Sequence, residues 1–194
     1  MSPAPPGRPR SQDARQSVLR AIDDLLVERG YAGVTMKAIA ERAGVSRQTL
    51  YRWWSTTAEI LLEACVEDAR DELRSAPQPD ARQEVHEYLR RLEAFLLRCD
   101  AGAAYRALLG ESQHDARVRE LVRAADVLAP SAHDCLARVG AHLGTDLGTD
   151  EHVAELVGPV VYAVLSTGTA PEVPALAEHL VRAWTPPPRP RRSA

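Results

Sequence analysis

The stretch from Thr35 to Trp54, TMKAIAERAGVSRQTLYRWW, constrains the fold of this 194-residue chain more than any other part of it. Two short amphipathic segments meet there at a tight turn centred on Gly44-Val45-Ser46, the spacing of a helix-turn-helix. Each position has a mechanical reason. Thr35 is placed to N-cap a helix from Met36 to Ala43, in which Ile39 and Ala40 point inward while Lys37, Glu41 and Arg42 stay wet. Gly44 supplies the positive φ that a turn between helices needs, because glycine adopts it without a Cβ clash. Ser46 caps a second helix running from Arg47 to about Trp54, and Ala40 is small where that helix crosses over it. Ile39, Ala43, Val45 and Leu50 fill the wedge between the two helices and fix their angle.

That wedge leaves the outer face of the second helix free, and the face carries Arg47, Gln48, Thr49, Tyr51 and Arg52. These are the groups that hydrogen-bond to base edges and phosphate oxygens in a major groove roughly 12 Å wide. Arg47 is suited to donate to a guanine and Gln48 to pair with an adenine. Thr35, Lys37, Thr49, Tyr51 and the indole N–H of Trp53 are suited to hold phosphates, which set register without reading sequence. An ordinary helical hairpin with a charged, solvated face has the same spacing. Against it stand the glycine turn, the small Ala40, the capping Ser46 and the polar outer face, all agreeing in one window.

The remainder of the chain is read as helical. From Gln12 to Arg29 the residues Ala14, Val18, Ile22, Leu25 and Leu26 recur at three- and four-residue steps, predicting a helix that stops at Gly30. A further helix is predicted from near Thr56 through Ile60, Leu61, Ala64 and Cys65 to Leu73, ended by Pro77 and Pro79. Five more follow, at about 81–99, 103–112, 115–140 with a bend at Pro130, 150–167 and 172–184. No segment alternates with the period of a strand, and residues 144–150 read as a loop. The Pro- and Arg-rich ends, residues 1–10 and 186–194, read as loose tails, of which Gly7-Arg8-Pro9-Arg10 is either a minor-groove arm or a solvated segment.

Charge follows the same division. Residues 1–57 hold nine Lys and Arg against five Asp and Glu, a net of +4, whereas residues 58–194 hold fifteen against twenty-two, a net of −7. A basic head beside an acidic body suggests that only the head faces a polyanion. No run of about 18 apolar residues is present to span a bilayer, and the start Met1-Ser2-Pro3-Ala4-Pro5-Pro6 lacks the order of a secretory signal, so a cytoplasmic protein without membrane contact is expected. Cys65, Cys99 and Cys135 are odd in number and widely spaced, which fits buried free thiols better than a disulfide framework or a CxxC metal site. Histidines 86, 114, 133, 142, 152 and 179 form no i,i+4 pair with one another or with a cysteine, and no GxSxG, P-loop or HExxH motif occurs. Neither a metal, a cofactor nor catalysis is expected.

The segment Gly44-Val45-Ser46-Arg47-Gln48-Thr49-Leu50-Tyr51-Arg52-Trp53-Trp54 resembles the DNA-binding signature of the TetR family, and the likeness extends from the first helix through Leu62. The resemblance implies an all-α protein: a three-helix DNA-binding head at 11–55, a connector helix from 56, and a larger ligand-binding and dimerisation body to 185. It implies a repressor that binds palindromic double-stranded operator DNA as a homodimer and is released by a small-molecule effector. The site residues that follow are Thr35, Lys37, Ser46, Arg47, Gln48, Thr49, Tyr51, Arg52 and Trp53. Leu156-Val157-Gly158-Pro159-Val160-Val161-Tyr162, with Leu165 and Gly168, resembles the dimer-forming helix of one subgroup, placing the dimer contact at about 150–184. Tyr88, Leu92, Phe95, Tyr105, Leu108 and Tyr162 are the candidate pocket lining, at a spacing that an ordinary core shares. Two positions depart from the family pattern: Thr57, where a phosphate-binding lysine is common, and Trp53, where histidine or tyrosine is common. The missing lysine keeps open a rival, a helical ligand- or partner-binding protein with weakened DNA binding.

Overall fold

The structure, a computed structural model, describes residues 10–187. The arm expected at Gly7, Arg8 and Pro9 and most of the expected C-terminal tail lie outside the described residues, and Arg10 opens the first helix.

Among the described residues the fold is all-helical. The helices are α1 (Arg10–Arg29), α2 (Met36–Ala43), α3 (Arg47–Tyr51), α4 (Thr57–Glu72), α5 (Ala81–Arg98), α6 (Asp100–Glu111), α7 (Ala116–Ala125), α8 (Ala129–Leu143), α9 (Asp150–Thr167) and α10 (Val173–Trp184), with a short 3-10 turn at Tyr31–Gly33. The predicted helix at 115–140 is two helices rather than one bent one. Asp126 closes α7 in the left-handed conformation at φ 45°, and α8 restarts at Ala129 with Pro130 in its first turn. Proline favours the restart: it has no N–H and its ring crowds the carbonyl four residues back, so Pro130 suits the first turn of a new helix, and the left-handed Asp126 makes the break. The predicted helix from Arg47 to about Trp54 is also shorter. Its α-helical part ends at Tyr51, and Trp53 N–H turns back to the Leu50 carbonyl at 3.1 Å, three residues away.

The chain packs as two compact units. The first comprises the residues up to Asp68 together with Cys99–Val127, and the second comprises Ala69–Arg98 together with the residues from Leu128 onward. In the first, α1 packs on α2 and α6, α2 on α3, and α6 on α7. Val18, Leu19, Ile22, Leu25 and Leu26 bury one stripe of α1, and Tyr31 donates its hydroxyl to Glu111 beyond α1's C-terminus. By contacts, α6 and α7 share a unit with α2 and α3.

In the second unit α5 packs on α8, α9 and α10. Its buried face runs Ala81, Val85, Tyr88, Leu89, Leu92, Phe95 and Leu96, the three- and four-residue spacing of one apolar stripe. Each fully buried Leu, Val or Phe there contributes roughly 1.5–3 kcal/mol. Glu84 lies on the same face, wholly buried, and is compensated on every side: Arg138 Nε donates to its Oε2 at 2.9 Å, and the Gln78 backbone N–H donates to its Oε1 at 2.7 Å. Gly140 is required by packing, because a Cβ there would sit 2.6 Å from the Thr145 carbonyl oxygen.

Candidate nucleic-acid interface

The helix-turn-helix is assembled by caps and one buried anchor. Thr35 Oγ1 accepts the Ala38 N–H at 3.2 Å and starts α2. At the other end Gly44 takes φ 67° and ψ 27°, letting the Val45 N–H reach back to the Ala40 carbonyl at 3.1 Å. Ser46 Oγ accepts the Thr49 N–H at 3.0 Å and lies 2.9 Å from Thr49 Oγ1, which starts α3. Ile39, Ala40 and Leu50 are buried and clamp α3 across α2, while Ala43 and Val45 are only half-buried at the edge of the wedge.

With Leu50 inward, the rest of α3 faces out. Arg47, Gln48, Tyr51 and Arg52 are exposed, Tyr51 at 55%, and Thr49 is half-buried. The side chains of Arg47, Gln48 and Tyr51 make no hydrogen bond or ion pair with the described residues, so their donors are available to a ligand. Lys37 stands exposed on α2 at 3.9 Å from Glu41, a loose pair that costs little to exchange for a phosphate. Thr35 and Ser46 spend their side-chain oxygens on capping, and each keeps a hydroxyl proton to donate. Arg52 lies over the half-buried Trp53, its Cζ 5.1 Å from the ring centroid, and Trp53 meets the buried Trp54 edge-on at 5.5 Å. Trp54 is 4% exposed and belongs to the core.

The N-terminal part matches the family model for bacterial regulatory proteins of the tetR family over residues 18–64. The HTH-type transcriptional regulator YdeS of Bacillus subtilis (strain 168) is 30% identical over 167 residues, which cover 84% of this chain and 83% of that one. This chain belongs to the TetR family. An HTH-type transcriptional regulator of Mycobacterium tuberculosis shares 40% identity over 65 residues, 34% of each chain. The crystal structure of the TetR family transcription regulator SCO0332 superposes with a TM-score of 0.72 at 26% identity, covering 90% of this chain and 100% of that one. A transcriptional regulator from Saccharomonospora viridis, solved in complex with choline, has the same fold with a TM-score of 0.53 at 24% identity, over 87% of this chain and 94% of that one. As a TetR family member the chain is a DNA-binding transcription regulator, and α2–α3 is its helix-turn-helix.

The candidate pocket residues lie on α5, α6 and α9. Tyr88, Leu92 and Phe95 are fully buried on α5, where Tyr88 Oη lies 3.2 Å from Ser131 Oγ. Tyr105 and Leu108 are buried on α6, and burial raises the Tyr105 phenol to about 12. Tyr162 stands 75% exposed on α9. None of the three cysteines forms a disulfide among the described residues; Cys65 and Cys135 are buried and Cys99 is half-buried. Burial pushes Cys65 up, reinforced by Asp68, and raises Cys135 to about 12, so both stay protonated and unreactive. No group of three His, Cys, Asp or Glu able to hold a metal occurs among the described residues, and none of their helices is long and apolar enough to cross a membrane.

Sequence reasoning missed Glu63. It lies on α4 with Trp54 Nε1 donating to its Oε2 at 2.9 Å and Arg15 of α1 at 2.7 Å from its Oε1. No periodicity marks a carboxylate nine residues after a tryptophan, because the contact is made by a change of chain direction at Ser55.

Proposed function

We propose that the chain is a cytoplasmic, non-enzymatic repressor that binds a palindromic operator as a homodimer and leaves it when a small-molecule effector binds. The observation that carries the DNA-reading part is the outer face of α3, where Arg47, Gln48 and Tyr51 stand exposed with unengaged side chains while Leu50 and Trp54 hold the helix from behind. Arg47 and Gln48 read bases in the major groove. Thr35, Lys37, Ser46, Thr49, Tyr51, Arg52 and Trp53 hold the phosphates and fix register. The DNA-binding segment is 11–55 and the ligand-binding and dimerisation segment is 56–185. Thr57 opens α4 without the cationic side chain usual there, so the phosphate grip rests on fewer charges.

Dimerisation through α9 and α10 is supported by two large apolar side chains left on the surface of α9, Tyr162 and Leu165, three residues apart on one face. The effector acts by binding one separation of the two heads more tightly than the other, and α4 links the DNA-reading part of the chain to the body.

Titrating a random-sequence duplex over a range of salt tests the DNA-binding part. The regulator's affinity falls steeply and linearly in log–log form as counterions are released. A flat salt response, or none of the expected binding at low salt, favours the ligand- or partner-binding alternative.

A further inference from the structure

The DNA-facing end of α3 is tied to the rest of the first unit by a chain of contacts that passes through one carboxylate. The Arg52 guanidinium rests 5.1 Å from the Trp53 ring centroid, and Trp53 packs edge-on against Trp54 at 5.5 Å with an interplanar angle of 85°. Trp54, 4% exposed, donates its indole N–H to Glu63 Oε2 at 2.9 Å. Glu63 Oε1 in turn lies 2.7 Å from Arg15 Nη2 on α1, aligned as an ion pair rather than as a hydrogen bond, and the atom is shielded from solvent. Three elements, α1, the end of α3 and α4, therefore meet on one side chain. The backbone here is held by the Arg52 N–H on the Gln48 carbonyl at 3.2 Å and by the Trp53 and Trp54 N–H groups, which share the Leu50 carbonyl at 3.1 Å; the side-chain contacts are what tie it to α1 and α4.

We propose that Glu63 is a positioning residue for DNA binding: by accepting the Trp54 indole N–H it fixes the two-tryptophan stack and, through it, the direction in which Arg52 presents its guanidinium to a phosphate. The inference rests on the reading of α3 as the DNA-contacting helix. Two consequences have opposite signs and separate positioning from plain electrostatics. Glu63 is negative, so removing its charge makes the head more attractive to DNA if charge alone matters. If the acceptor atom matters, the outcome depends on whether the replacement can still take a hydrogen bond.

The probe is the duplex that the wild-type chain enriches from a random-sequence pool, titrated at several salt concentrations at a temperature where each protein is folded by circular dichroism. Glu63→Gln keeps an acceptor for Trp54, whereas Glu63→Met has similar length and neither acceptor nor charge. Glu63→Gln is expected to bind within about twofold of wild type, and Glu63→Met roughly tenfold more weakly, with a salt slope smaller by about 0.9 as one phosphate contact is lost. Trp54→Phe, which keeps Glu63 and a buried ring, is expected to match Glu63→Met and to add little to it in the double variant. Equal binding by the Gln and Met variants, or tighter binding by both than by wild type, overturns the proposal. Should Glu63→Met not fold, the comparison passes to Trp54→Phe, where unchanged affinity and slope overturn it. Failure of the wild-type chain to enrich any duplex refutes the DNA-contact reading itself, which is a different outcome.

Discussion

Arg47 and Lys37 are both exposed cations on the helix-turn-helix, and the work proposed for them differs. Arg47 opens α3 with its side chain unengaged and can present its planar fork to a guanine, whereas Lys37 is a point charge on α2 suited to a phosphate. Arg47→Ala is expected to cost about 1–3 kcal/mol in operator binding and to relax one base position, while Lys37→Ala weakens all sequences together; competition titrations with single-base operator variants check both. A selective loss for Lys37→Ala, or a uniform one for Arg47→Ala, contradicts the assignment. Asp23 gives a prediction in pH. Burial, then Asp68, Asp24, Glu67 and Asp100, raises its carboxyl to about 6. A folded pKa above the unfolded one means that the native state holds the proton more tightly, so this contribution to stability is fully present below about 3.8 and is lost as pH rises through about 6. Asp23→Asn should therefore stabilise the chain at pH 7.5 by about 1 kcal/mol, after allowance for screening at a half-buried site, and by much less at pH 4.5. Denaturation at the two pH values measures this, and an equal effect at both contradicts the assigned cause. The exposed residues of α3 were legible in the sequence because they lie within one short window. The acidic neighbours of Asp23 were not, since Asp68 and Asp100 are brought to it only by folding.

Among the elements, the turn between α2 and α3 depends most on one residue type. Gly44 is left-handed and a Cβ there would meet nothing within 4 Å, so Gly44→Ala costs backbone strain alone, roughly 1–2 kcal/mol. Urea denaturation would show the loss, and an unchanged midpoint at unchanged slope would deny that the turn needs glycine. The helices whose caps lie next to them in sequence were readable to the residue: Thr35 and Ser46 announce α2 and α3, and Gly44 ends α2. The break between α7 and α8 was misread as a bend, because apolar spacing carries across it while Asp126 departs from helical geometry and Pro130 restarts the helix. The shortening of α3 was hidden for a similar reason, since Trp53 and Trp54 continue the apolar pattern past Tyr51, the last helical residue.

For the whole molecule, one helix-turn-helix makes few base contacts, and a two-fold pair reads a palindrome with half-sites roughly 34–36 Å apart or a multiple of that. The proposed dimer contact on α9 is supported by the exposed Tyr162 and Leu165. Tyr162→Glu with Leu165→Glu should yield a monomer by sedimentation, with operator affinity greatly reduced and the helical signal kept; a variant that remains a dimer contradicts the assignment. The family was legible because the signature is local, whereas the proposed effector site was not, because Tyr88, Leu92 and Phe95 show the spacing of any buried helix face. The central claim, that α3 enters the major groove, is tested most directly by methylation interference on the enriched operator, since guanine N7 lies in that groove. The expected result is two clusters of N7 positions whose methylation blocks binding, related by two-fold symmetry and one or more helical turns apart, with one position in each cluster relieved in Arg47→Ala. Interference confined to adenine N3 in the minor groove, or none at all, would contradict it.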